Sequence, residues 1–180
     1  MLFHPSKCIL LVIDVQGQLA YRMHEKENLF KNLQGLIQAA RILEIPILLT
    51  EQAPEKIGIT IPEISQSLQG ITPIKKTSFS CWLSENFKKQ LKSFRRRQII
   101  VAGIETHVCV YQTVHDLLEA KYDIQVVADA VSSRTLENKS LALDRIKSLG
   151  AMTTSTEMVI CELLRTSTHP RFKDVLKLIK

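Results

Sequence analysis

The 180-residue sequence has no CxxC pair, no GxGxxG and no GxxxxGK[ST], and each absence removes a class of protein. Its four cysteines, Cys8, Cys81, Cys109 and Cys161, are scattered, which argues against a zinc ribbon or disulfide scaffold and predicts free thiols. Where a dinucleotide-binding fold would place its glycines, the first apolar run is followed by DVQGQLA, so dinucleotide and P-loop nucleotide chemistry are disfavoured. That run, Cys8 to Ile13, is too short to span a bilayer, and MLFHPSK lacks the apolar core and cleavage site of a secretory signal. A cytoplasmic protein with no membrane partner is expected. The five histidines, His4, His24, His107, His115 and His169, show no ligand spacing, so neither a metal nor another cofactor is expected.

What is present describes an ordinary globular chain: 45% hydrophobic and 23% charged residues, in a length that one domain spanning 1–180 can bury without disulfides. The net charge of +6 invites a nucleic-acid reading, and Lys88, Lys89, Lys92, Arg95, Arg96 and Arg97 do cluster. They alternate with Phe87, Leu91 and Phe94 at helical spacing, as on the solvated face of an amphipathic helix. No nucleic-acid partner is expected.

Short apolar runs alternate with helical patterns along the chain. Strands are predicted at Lys7 to Asp14, Ile45 to Thr50, Ile71 to Ile74, Gln98 to Ala102, Asp123 to Ala128 and Ala151 to Thr154. Helices are predicted at Asn28 to Leu43, Ser84 to Phe94, from Thr106 onward, Leu136 to Leu149 and Glu157 to Arg165, with a tail helix carrying Phe172, Val175, Leu176 and Ile179. Thr106 and Thr156 are placed as caps. Gln52 to Gly70 reads as a long loop with one helical turn near Pro62, and loops of that length are usually functional. The alternation predicts an α/β fold, a doubly wound, Rossmann-like, six-stranded parallel sheet with helices on both faces.

Two residues stand out by position. Asp14 ends the first strand, and ligands bind beyond the carboxyl ends of strands in open α/β sheets; a turn or capping aspartate is the plainer alternative. Cys109 falls in or near the first turn of a helix that follows a buried strand. There the macrodipole favours a thiolate and a lowered pKa, although a small buried hydrophobe is the commoner role of a free cysteine.

Asp14 in IDVQ, Lys76 in KKTSFS and Cys109 in GIETHVCV, in that order, resemble the isochorismatase-like cysteine hydrolases, which include nicotinamidases and N-carbamoylsarcosine amidohydrolase. TEQAPEKIGITIPEI, KTSFS, GIE, ADAVSSR and HPRFKDVLKLIK resemble more closely the isochorismatase domain-containing proteins and their YcaC-type bacterial relatives. The resemblance covers nearly the whole chain. It implies a catalytic triad of Asp14, Lys76 and Cys109, the KTSFS register selecting Lys76 over Lys75. It also implies a non-proline cis peptide between Ile104 and Glu105, and an oxyanion hole from the backbone N–H groups of Glu105 and Cys109.

The implied reaction is cleavage of a C–N bond in a small amide or related carbonyl compound through a thioester on Cys109. Gln16, Gln18, Phe79, Trp82 and the 52–70 loop are expected to shape the substrate site, and His107 to line the pocket or face solvent. Relatives assemble from identical chains, so a homo-oligomer is expected. The sequence departs from nicotinamidases in carrying no histidine after the second strand, and from part of the family in placing Leu19 where an aromatic is frequent. The alternative function is a catalytically idle, oligomeric binding or scaffold member of the fold.

Overall fold

The computed structural model describes residues 1–178. Six strands, β1 (Cys8–Ile13), β2 (Ile47–Gln52), β3 (Ile74–Lys76), β4 (Gln98–Ile104), β5 (Asp123–Ser132) and β6 (Met152–Thr154), form one all-parallel sheet in the order β3-β2-β1-β4-β5-β6. The order reverses between β1 and β4, so the crevice beyond their carboxyl ends is the expected ligand position. β1 and β4 are buried at every residue, as a strand covered on both faces must be.

The chain supplies nine α-helical segments among the described residues: α1 (Gly17–Ala20), α2 (Lys26–Ile42), α3 (Pro54–Ile57), α4 (Pro62–Ser65), α5 (Glu85–Ser93), α6 (Tyr111–Glu119), α7 (Leu136–Ser148), α8 (Thr156–Leu164) and α9 (Phe172–Leu176). Successive β1 side chains point to opposite faces of the sheet. Leu10 and Val12 pack with Leu33 and Ile37 of α2, Ile160 and Leu163 of α8, and Val175 of α9. Ile9, Leu11 and Ile13 pack with Phe87 of α5, Val114 and Leu117 of α6, and Ile146 of α7. Among the described residues no helix is long and apolar enough to cross a membrane.

Several local expectations need correction. β3 begins at Ile74 rather than ending there, because Pro73 cannot donate to a ladder while Ile74, Lys75 and Lys76 pair with Thr50, Glu51 and Gln52. Thr106 is not a cap. It opens a π-helical turn, Thr106–Val110, in which the Val110 N–H reaches the Glu105 carbonyl at 3.2 Å, and its buried hydroxyl has no hydrogen-bond partner among the described residues. Ser155, not Thr156, caps α8, its Oγ accepting from the Met158 N–H, while the Thr156 hydroxyl is bound to Asp129. The 52–70 loop holds α3 and α4 rather than a single turn, and Ile179 of the tail pattern lies outside the described residues.

Two glycines set close backbone approaches. Gly103 has φ +118°, and a Cβ there would stand 2.1 Å from the Ile13 carbonyl oxygen, so only glycine lets β4 run so near β1. Gly17, at φ +47°, lies against Ile57, where a Cβ would meet the carbonyl oxygen at 1.9 Å.

Candidate active site

The carboxyl ends of β1, β2, β3 and β4 converge on one buried polar cluster. Asp14 follows β1 directly in a left-handed conformation, φ +52°, which turns its carboxylate back over the sheet. Thr50 of β2 donates its hydroxyl to Asp14 Oδ1 at 2.7 Å, and Lys76 of β3 donates its ammonium to Oδ2 at 2.6 Å. Strand alternation buries Lys76 and exposes Lys75, so Lys76 is the one of the two whose side chain joins this cluster. The side chains of Lys76 and Asp14 are 0% and 4% exposed. Lys76 also donates to the carbonyls of Ser78 and Phe79 at 3.0 and 3.1 Å, so every proton of the buried ammonium has a partner.

Cys109 lies across from this pair, in the π-helical turn that follows the cis peptide bond between Ile104 and Glu105. Its sulfur donates to Gln52 Oε1 at 3.1 Å, the same oxygen that Lys76 Nζ approaches at 3.4 Å. Gln52 therefore bridges the Cys109 sulfur and the Lys76 ammonium, a link the sequence does not announce. Its backbone is fixed by Gln16, whose Oε1 accepts from the Gln52 N–H at 2.7 Å and whose Nε2 donates to the Gln52 carbonyl at 3.1 Å. The Gln16 amide also ties down Gly58, so this fully buried residue braces the loop and is not a wall of the cavity.

A cavity of about 150 Å³ opens over the sulfur, lined by Asp14, Leu19, Gln52, Ile57, Phe79, Ile104, Glu105, Val108 and Cys109. A void of this size holds a ring about as large as benzene. Phe79 forms part of its wall, as expected. Trp82 does not: it packs edge-on against Tyr122 beneath the ammonium groups of Lys88 and Lys92. Gln18 is exposed outside the cavity, and His107 faces Ser133 Oγ at 2.9 Å. The Glu105 carboxylate is held by Arg134, whose backbone N–H and Nε donate to Oε1 at 3.2 and 3.1 Å, and no hydrogen bond engages the Glu105 N–H among the described residues. Arg134 was legible only as the end of ADAVSSR.

The electrostatics reverse one expectation. Burial, reinforced by the Asp14 carboxylate, pushes the Cys109 thiol up, and Lys76 only partly offsets it. Desolvation and the neighbouring Asp14 carboxylate thus work against the thiolate that a helix N-terminus would favour. Burial pulls the Lys76 ammonium down, while the negative charge of the Asp14 carboxylate bonded to it acts the other way, and the balance leaves it above its usual value. Cys81, also buried behind the pair, is pushed up to about 11 by desolvation and Asp14.

A parallel sheet of this order, with a buried carboxylate, ammonium and cysteine gathered at its carboxyl ends, defines an α/β protein with a polar site at the switch point of the sheet. The chain belongs to the isochorismatase family: the isochorismatase domain matches residues 8–158. It is 39% identical over 172 residues to isochorismatase domain-containing protein 2 of Danio rerio, covering 95% of this chain and 86% of that one. It is 37% identical over 180 residues to a secreted isochorismatase effector, Isc1, of Phytophthora sojae, covering 98% and 86%. A relative described as secreted means that kinship does not fix a compartment.

Among solved structures, MAR1 ribonuclease from Caenorhabditis elegans superposes with a TM-score of 0.93 at 39% identity, covering 99% of this chain and 92% of that one. YcaC from Pseudomonas aeruginosa, solved with hexane-2,5-diol and covalent acrylamide, gives 0.92 at 25%, covering 98% and 91%. The Escherichia coli YcaC product, described as an octameric hydrolase of unknown specificity, gives 0.89 at 25%, covering 99% and 95%.

Proposed function

We propose that this chain is a cysteine hydrolase that cleaves the C–N bond of a small amide or related carbonyl compound through a thioester on Cys109. The observation that carries the reading is the buried Asp14–Lys76 ion pair at 2.6 Å, joined through Gln52 to a cysteine on the wall of the same cavity. In this reading Asp14 accepts the thiol proton as sulfur attacks the carbonyl carbon. The backbone N–H groups of Glu105 and Cys109 hold the oxyanion. The C–N bond then breaks, the proton leaves with the amine, and water hydrolyses the thioester to release the acid and restore the thiol.

A raised thiol suits this sequence of events, since the proton is removed only when substrate arrives. The cavity volume limits the acyl portion to a few heavy atoms, and its apolar walls favour a short aliphatic or small aromatic group. Ribonuclease chemistry, the activity in the name of the worm structure, suits the cavity poorly: among the described residues no cationic side chain lines it, and about 150 Å³ is below the roughly 300–1,000 Å³ of common ligand pockets. The protein is proposed to act in the cytoplasm on a small-molecule substrate. The octameric Escherichia coli relative supports a homo-oligomer.

The competing reading, an idle scaffold, draws on the raised Cys109 thiol itself. Intact-protein mass after exposure to acrylamide and a panel of small amides separates the two. A single adduct at Cys109, lost in Cys109→Ala and strongly slowed in Asp14→Asn, is expected; the absence of any adduct near neutral pH sinks the hydrolase reading.

A further inference from the structure

At the opposite end of the sheet lies a second cleft, of about 530 Å³, lined by His4, Ser6, Leu43, Arg96, Leu164 and Arg165 among others. Arg96 immediately precedes the β4 region, whereas Cys109 follows its far end. Seven strand residues at about 3.3 Å each separate the two sites by roughly 20 Å or more.

Both arginines are anchored to main-chain carbonyls. Arg96 Nη1 donates to the carbonyls of Pro5 and Cys8 at 2.7 and 2.8 Å, and Arg165 Nη2 donates to the Phe3 carbonyl at 3.1 Å. Neither forms an ion pair with a carboxylate among the described residues. His169 Nδ1 meets the Arg171 N–H at 3.1 Å, and His4 Nδ1 meets the Ser6 N–H at 3.3 Å and Ser6 Oγ at 2.9 Å, so among the described residues the hydrogen bonds of both rings are made through Nδ1 and engage neither Nε2. Glu44 is the acidic member of the lining and stays outside ion-pair distance of both arginines. Leu43, Leu163 and Leu164 supply an apolar wall.

We infer that this cleft binds a small organic phosphate, its phosphate held between Arg96, Arg165 and the two imidazole N–H groups and its apolar portion resting on Leu43, Leu163 and Leu164. Guanidinium groups tied down by main-chain carbonyls keep their remaining N–H donors oriented at no further entropic cost, and guanidinium geometry matches phosphate oxygens. Donors from four side chains suit a tetrahedral dianion better than a planar carboxylate. The volume falls within the roughly 300–1,000 Å³ of small-ligand sites. Nothing in this argument depends on the chemistry of Cys109.

The test is calorimetric titration of the full chain with adenosine 5′-monophosphate, adenosine and inorganic phosphate at constant ionic strength. Saturable binding of the monophosphate is expected, weaker binding of inorganic phosphate, and none of adenosine alone. Arg165→Gln and His169→Gln should each weaken the monophosphate by about tenfold or more, with Arg165→Lys recovering part of the loss. Acrylamide labelling of Cys109 serves as the control for a separate site and should be unchanged by ligand or by either substitution. No saturable binding, binding that both substitutions leave intact, or protection of Cys109 by the monophosphate overturns the inference.

Discussion

Lys76→Met retains the side-chain length and removes the charge, and its consequence can be worked from the contacts. Asp14 Oδ2 loses a donor at 2.6 Å, and the Ser78 and Phe79 carbonyls lose theirs at 3.0 and 3.1 Å. With 0% of the Lys76 side chain and 4% of the Asp14 side chain exposed, water does not replace the ammonium. Breaking such a pair from one side costs about 3–5 kcal/mol, because a buried charge is left without its counter-ion. Against a total stability of about 5–15 kcal/mol this is a large fraction, and at about 2–4 °C per kcal/mol it lowers the melting temperature by roughly 6–20 °C. The cost belongs mainly to the stranded carboxylate, so removing that charge as well should recover part of it. Asp14→Asn combined with Lys76→Met should be less destabilised than the sum of the single variants by about 2 kcal/mol or more. Urea unfolding of the four proteins at neutral pH measures this cycle. A Lys76→Met loss within about 1 kcal/mol of the parent, or additive single effects, would refute the account of the pair as a buried, mutually dependent unit.

At neutral pH, acrylamide labelling of Cys109 should slow by about 10²–10⁴-fold in Asp14→Asn, the range of a lost general base; an unchanged rate by mass spectrometry removes Asp14 from that role. Stability should decline in alkali. The buried thiols of Cys8 and Cys81 are pushed up to about 12 and about 11, and Cys109 is raised too, so each stays protonated in the fold while ionising in the unfolded chain above the usual 9.0. The raised groups therefore contribute stability below that value and lose it as pH rises, by about 1.4 kcal/mol per thiol by pH 10, or roughly 4 kcal/mol for the three. Urea midpoints that are flat between pH 8 and 10 would contradict this burial. Gly103→Ala should destabilise by about 3 kcal/mol or more, since the added Cβ meets the Ile13 backbone; a melting temperature within a few degrees of the parent would deny the close approach of β1 and β4.

The site divides by the kind of information each residue needed. Asp14 was readable because a carboxylate ending an apolar run is costly anywhere but at a ligand site or turn. Lys76 became readable only through its motif, and the reason for its register, the in-and-out alternation of β3 beside β2, is a property of the sheet. Thr50 and Gln52 were visible only as members of the TEQAPEK motif and the start of the 52–70 loop, and their particular contacts were not readable, since those lie in reaching Asp14 and Cys109 from across the fold. Trp82, expected to shape the substrate site, lies elsewhere: it falls in the short helical turn at Cys81–Leu83 and packs on Tyr122. The raised Cys109 thiol was out of reach too, because helix position is local whereas desolvation and the Asp14 charge come from distant chain segments.

By itself the sequence determined the alternation of strands and helices, the sheet class and the place of the chain in its family, because hydrophobic period and motif order are written along one dimension. The tertiary structure alone decided which oxygen faces the sulfur, how large a group fits above it, and that Arg96 and Arg165 are brought to one cleft and bound to main-chain carbonyls there. Those are matters of distance between residues tens of positions apart, and a free energy that varies with ångströms and with the exclusion of water exists only once the chain has closed around it.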